Sequence, residues 1–215
     1  MMSLRLALRR SSLPVDFHNR RADGCTPLRR GEERFPEMLS EAAWLDALFA
    51  SLARAGISPD IIDHRFTLRA SEKQALLPQG VGVQKTVTLQ IDRQLLLVSG
   101  VGDFRLTKAT LRSLSKMLGL PAHCSRRATI NPATFPAEET SGLPVGMVSP
   151  FIRCTGKGPL TGIALLAEGA PYSETAISLS LTKSAIVPSG RLFDAIGQYH
   201  RYFIPHLPLM VLHSE

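Results

Sequence analysis

No apolar run in the chain approaches the roughly 18–20 residues that a bilayer-spanning helix needs, so no transmembrane helix is expected. Cysteine is scarce. Cys25, Cys124 and Cys154 are odd in number and share no metal-ligand spacing, which argues against a disulfide framework and points to the reducing cytoplasm. The six histidines form no cluster: His123 abuts Cys124, but no second such pair exists to complete a ligand set. Neither a metal nor another cofactor is therefore expected. Internal repeats are also lacking.

What is present suits one soluble domain. A length of 215 residues can bury a sizeable core, and 44% hydrophobic with 20% charged residues is ordinary for a globular protein. The net charge of +7 and a pI near 9.8 favour polyanionic partners. Much of that excess lies before Met38, in a stretch with Arg9-Arg10, Arg20-Arg21 and Arg29-Arg30 and no sustained hydrophobic period. Residues 1–37 read as a basic extension, disordered or non-native, with a targeting or RNA-binding segment as the alternative. Residues 38–205 read as the domain, and 206–215 as an apolar C-terminal tail that packing or dimerisation would explain.

Within the domain, Trp44, Leu48, Leu52 and Ala55 form one helical stripe, with Ser40 placed to cap the start and Gly56 to end it. "DIIDHRF" is a candidate strand. Ser71-Glu72-Lys73-Gln74 has capping-box character and predicts a short helix. "VQKTVTLQID" alternates, with Val83, Val87, Leu89 and Ile91 on one face and Gln84, Thr86, Thr88 and Gln90 on the other. Asp92-Arg93 then makes a hairpin turn into "QLLLVSG", an apolar run suited to a strand covered on both faces. Thr107 to Gly119 reads as a helix turning Leu111, Leu114 and Leu118 inward, and Asn131-Pro132 as the start of a short helical piece. After a Gly/Pro loop come strands "LTGIALLA", "TAISLSL" (Ile177, Leu179 and Leu181 inward) and "KSAIV", and a helix from Ser189. Hairpins mixed with single helices predict an α+β, or mixed α/β, fold.

Two features carry chemistry. Lys85 shares the parity of Val83, Val87, Leu89 and Ile91, and an unpaired ammonium on an apolar face is costly. It must snorkel, pair with a carboxylate, or face a cavity; snorkelling is the plainer reading, and an anion-binding cation in a pocket the functional one. The second feature is the loop Gly142-Leu143-Pro144-Val145-Gly146-Met147-Val148-Ser149-Pro150. Glycine permits close backbone approach and proline fixes the chain, so the loop is either a plain turn or a rigid presenter of main-chain groups to a ligand.

Taken in order, "ASEKQA", "QKTVTLQ", "RLTKATLRSLSKMLG" and "SGLPVGMVSPF" resemble the YbaK / prolyl-tRNA synthetase editing-domain superfamily. In that family a Lys-Thr pair opens a central strand, a "DLKALAKALG"-like helix follows, and a "TGYPVGGVSPFG"-like loop comes later. Here Gly146 to Pro150 supplies the family's G-x-x-x-P motif, and the likeness runs from about Ile57 to Leu192. The resemblance implies a mixed, partly barrel-like β-sheet with flanking helices and a cleft for the 3′ aminoacyl-adenosine of tRNA. It implies that Lys85 contacts the terminal nucleotide or its phosphate, and that the Gly146 backbone positions the attacking water or the substrate carbonyl. Thr86, Met147, Ser149 and Pro150 would flank the substrate, and Ser178 or Ser180, depending on register, would stand for the family serine. Hydrolysis would rest on positioning and on the substrate's own groups, without a metal or Ser-His-Asp triad.

One stretch departs from the pattern. Where the family carries a "VSGGKRGLD"-like turn, this chain has "ISLSLTKSAIV", without the paired glycines or the aspartate. The resemblance therefore implies a cytoplasmic deacylase of mischarged Cys- or Ala-tRNA(Pro), acting in trans, with aminoacyl-tRNA as partner and a synthetase as a further candidate. The alternative is an inactive, diverged member that binds tRNA or another nucleotide-ended ligand. Oligomeric state is not legible.

Overall fold

The computed structural model describes residues 37–130, 140–155, 159–167 and 172–213. The basic extension before residue 37 and the helical start at Asn131-Pro132 lie outside them. The chain divides into Met1–Arg34 and Phe35–Glu215, and all described residues belong to the second unit.

Helix α1 spans Glu41–Arg54; the Ser40 side chain accepts from the Ala43 N–H at its start, and Trp44, Leu48 and Leu52 are buried. Strand β1 is Asp60–Asp63 and α2 is Ala70–Gln74. The short helix begins earlier than its Ser71 pattern predicts. Its Glu72 carboxylate reaches back to the N–H groups of Leu68 and Arg69, 3.3 Å from each, so Arg69 takes the cap position.

Strands β2 (Val81–Ile91) and β3 (Gln94–Val101) form the expected hairpin, with Asp92 at φ 55° in the turn. Helix α3 (Lys108–Met117) is capped by the Thr107 side chain. A 3-10 turn, Ala122–Arg127, and the two-residue strand β4, Thr129–Ile130, follow. Strands β5 (Leu160–Leu166), β6 (Glu174–Ser178) and β7 (Lys183–Pro188), helix α4 (Ser189–Phe203) and strand β8 (Leu209–Leu212) complete the domain.

The fold is mixed α/β, with an eight-stranded sheet ordered β1-β7-β6-β2-β3-β5-β8 and β4 paired to β2. The β6–β2, β3–β5 and β5–β8 pairings are parallel and the others antiparallel, and the sheet is open. The apolar C-terminal segment is thus the last strand of the sheet.

Period-two alternation divides the core between two faces. Leu95 and Leu97 of β3, with Ile163 and Leu165 of β5, pack on α1 and α4 around Trp44 and Tyr199. Leu96, Val98, Ala164 and Leu166 pack the other way, with Leu89, Ile91 and the Leu114 of α3. Strand β3 is accordingly covered on both faces, as its continuous apolar run predicts.

Strand β6 stops sooner than the alternation of "TAISLSL" suggests. The N–H groups of Leu179 and Ser180 both donate to the Lys183 carbonyl, which closes a tight turn into β7. Leu179 and Leu181 still face the α1–α4 side of the core. No helix among the described residues is long and apolar enough to cross a membrane.

Candidate active site

Strand β2 changes neighbours along its length. Its first residues pair with β6, ending at Val83↔Ala176, whereas its pairing with β4 begins only at Leu89↔Ile130. Among the described strands, Gln84 to Thr88 is laddered on the β3 side alone. Strand β6 meanwhile continues to Ser178, paired with β7. A cavity of about 250 Å³ occupies the resulting gap, lined by Lys85, Thr86, Gly146, Ser178 and the Thr67–Ala70 segment that leads into α2. A second hollow of about 460 Å³ shares Arg69 and Lys85 with it and extends to Asp103 and Tyr172. Lys85 stands where the two meet.

The Lys85 side chain is 36% exposed; its Nζ lies 3.3 Å from Oδ1 of fully exposed Asp103 and 5.9 Å from the centre of the Phe104 ring. All three options open to a lysine on this face are in use: it reaches water, meets a carboxylate, and lines a cavity. Gly100, opposite Lys85 in the β2–β3 register, makes room for Phe104, since a Cβ there would come 2.8 Å from the ring. The carboxylate that Lys85 meets is fully solvated, so an incoming anion can displace it.

Gly146 has φ +89°, a conformation that side chains disfavour, and its carbonyl oxygen lies 3.3 Å from the Ser178 hydroxyl. The loop around it is held from behind. The Trp44 indole N–H donates to the Phe151 carbonyl at 2.6 Å, and the Tyr199 hydroxyl to the Ile152 carbonyl at 2.6 Å. The Phe151 and Tyr199 rings also meet edge to face, 5.2 Å apart.

The structure brings Lys85, Thr86, Gly146 and Ser178 to one cavity. The other residues singled out by sequence lie elsewhere. Met147 is buried in the core on the α1–α4 side, Pro150 is buried three residues on, and the Ser149 side chain accepts from the Phe151 N–H inside the loop. Ser180 accepts from the Thr182 N–H and holds the β6–β7 turn. Of the two serine registers, the one that reaches the cavity is Ser178. Thr86 donates to Ser99 at 3.0 Å, so its hydroxyl is tied to β3.

Three cavity residues escaped the sequence reading. Lys73 on α2 is 2% exposed, and its Nζ lies 2.5 Å from Ser178 Oγ. Burial lowers its pKa from 10.5 to about 8. Thr67 Oγ1 and Gln84 Oε1 are the other two, both buried and both without a hydrogen-bond partner. Such atoms cost roughly 1–3 kcal/mol each when nothing satisfies them.

No family model matches the chain, and no curated protein sequence matches it. Among solved structures, a proposed trans-editing enzyme for prolyl tRNA synthetase is 16% identical, with a TM-score of 0.47, covering 82% of this chain and 99% of its own. A structure from the computational grafting of linear epitopes onto scaffold proteins is 14% identical, with a TM-score of 0.49, covering 82% of this chain and 98% of its own. At these values the likeness assigns neither family nor activity.

Proposed function

We propose that the chain is an editing-type ester hydrolase, an aminoacyl-tRNA deacylase that acts in trans on mischarged tRNA of the Cys- or Ala-tRNA(Pro) kind. The observation that carries this reading is the convergence of Lys85, Gly146 and Ser178 on one cavity. They come from three segments far apart in sequence; the motif resemblance names Lys85 and Gly146, and Ser178 as one of two serine registers. In this reading the 3′ aminoacyl-adenosine enters the gap between β2 and β6. The Lys85 ammonium meets the terminal nucleotide or its phosphate, and the Gly146 main chain fixes the ester or its attacking water. Orientation of this kind supplies much of an enzyme's rate enhancement. A basic chain suits a tRNA partner, since phosphate neutralisation drives such association. No metal or cofactor is invoked.

The test is release of amino acid from Cys-, Ala- and Ser-charged tRNA(Pro) by the 215-residue chain. Turnover on at least one, with a marked loss in Lys85→Ala, is expected. Folded protein that hydrolyses none of the three overturns the proposal.

A binding protein without catalysis is the second reading, and one contact favours it. In the turn that lacks the family's paired glycines, Leu181 packs so closely that its Cδ2 would lie 3.2 Å from a Cβ at Gly146. In that case tRNA binding is salt-sensitive and weakened by Lys85→Ala, with no hydrolysis to lose.

A further inference from the structure

We propose that Ser178 and Lys73 form a nucleophile–base pair, through which an ester in this cavity is cleaved by way of an acyl-serine. The inference rests on the reading of the cavity as an ester-binding site, but it replaces the substrate-assisted route with a covalent one.

The arrangement has the parts that serine activation requires. Ser178 Oγ lines the cavity and is half-buried, so a ligand can reach it. Lys73 Nζ lies 2.5 Å from that oxygen, within proton-transfer distance. At rest Ser178 donates its proton to the Gly146 carbonyl, 3.3 Å away, and accepts from Lys73; the hydroxyl turns to the amine once the amine is neutral. The amine is buried, and the described residues that line the cavity include no carboxylate to hold it protonated. Its charged neighbours in that lining are Arg69, from the segment leading into α2, and Lys85, from β2. Both are cations, and the Gly146 loop and the end of β6 bring no charge. A lysine kept for structure alone gains little from such a place. Thr67 and Gln84, each with a buried polar atom that has no partner, line the same cavity.

The steps balance. The neutral Lys73 amine takes the Ser178 hydroxyl proton as Oγ bonds to the ester carbonyl carbon. The bond from that carbon to the ribose oxygen then breaks, and Lys73 returns the proton to the leaving oxygen. Water next attacks the acyl carbon and gives a proton to Lys73. The carbon–Oγ bond breaks, the proton returns to Ser178, and the free acid leaves. The net change is ester plus water to acid plus alcohol. With the amine pKa near 8, about a tenth of Lys73 is neutral at pH 7 and half at pH 8, so acylation gains rate up to and through that range.

The experiment treats the full chain with p-nitrophenyl acetate, following p-nitrophenol release in the first turnovers and mapping adducts by mass spectrometry. The pair requires a burst and an acetyl group on Ser178, absent in Ser178→Ala and retained as a thioester in Ser178→Cys. Lys73→Met slows acylation by about 100-fold or more and removes its rise through pH 8, in a protein with unchanged circular dichroism. Absence of an adduct, an adduct on Lys73 in place of Ser178, or unchanged acylation in Lys73→Met overturns the pair. Amino acid release from mischarged tRNA, measured on the same preparations, separates the two proposals. Ser178→Ala that still deacylates tRNA at the wild-type rate overturns the covalent route and leaves the deacylase standing. A Ser178 adduct without tRNA deacylation supports the pair and removes tRNA as its substrate.

Discussion

The backbone of Leu68 lies directly over Gly146. A Cβ at Gly146 would come 3.0 Å from the Leu68 carbonyl oxygen and 3.2 Å from its Cα. The contact joins the segment that leads into α2, with Thr67 and Lys73, to the loop that faces Ser178. Two walls of the cavity are thus held together at a point where only glycine fits.

Gly146→Ala tests that point. The residue sits at φ +89°, and besides the tip of Leu181 a Cβ would strike the Leu68 main chain, which cannot step aside as a side-chain tip can. A loss of about 1–2 kcal/mol is expected from the backbone conformation alone. Thermal or urea unfolding measures it. The variant should also lose ester hydrolysis by more than its stability explains, because the loop must shift away from Ser178.

Lys73 makes the stability of the domain depend on pH in a direction unusual for lysine. Its folded pKa of about 8 lies below the ordinary 10.5, so between those values the unfolded chain binds more protons than the folded one. Stability attributable to this residue therefore rises from about pH 8 to about pH 10.5, and the full cost of burying the charge is felt below pH 8. Lys73→Met removes the cost. The variant should be more stable than wild type at pH 7 by about 1–3 kcal/mol, with the advantage fading as the pH approaches 10.5. Paired urea melts at pH 7 and pH 10 check the sign.

Much of the fold was legible because local and tertiary demands agree. The β2–β3 hairpin alternates as its two faces require, and Asp92 accepts the positive φ of its turn. Trp44, Leu48 and Leu52 need one helical stripe and have it. The site was half legible. Lys85 stands out because its parity places a cation among apolar residues. Lys73 does not, because five residues of helix are too few to establish a period. Its burial comes from β2 and β6 closing around it, which involves residues up to Ser178. The end of β6 was hidden for a like reason. The alternation runs on through Leu181, but two N–H groups find the Lys183 carbonyl and turn the chain.

Tyr199 tests how the cavity loop is supported. Its hydroxyl is fully buried on the Ile152 carbonyl, and its ring meets Phe151 just beyond Pro150. Burial pushes the phenol well above its ordinary range, so it remains a donor at any pH the protein survives. Tyr199→Phe keeps the ring contact and leaves a buried carbonyl without this partner. A loss of about 1–2 kcal/mol in chemical denaturation is expected. Because the ring still holds Phe151, ester hydrolysis should fall less than in Gly146→Ala.

The charge at the cavity mouth is set by Lys85 and Asp103 in opposition. Asp103 is fully exposed and 3.3 Å from the ammonium, so it contributes little to folding but competes with any anion that Lys85 receives. Asp103→Asn should leave the melting temperature unchanged and tighten tRNA binding several-fold at low salt, because it removes a negative charge from the path of a phosphate. Lys85→Ala should act the other way, weakening binding and reducing its salt dependence by the share of one phosphate contact. In the double variant the Asn should no longer help as much, since the cation it uncovers is gone. Fluorescence anisotropy with labelled tRNA across a salt series measures all three. If Asp103→Asn tightens binding equally with and without Lys85, the carboxylate acts only through net charge, and Lys85 is not where the nucleic acid is received.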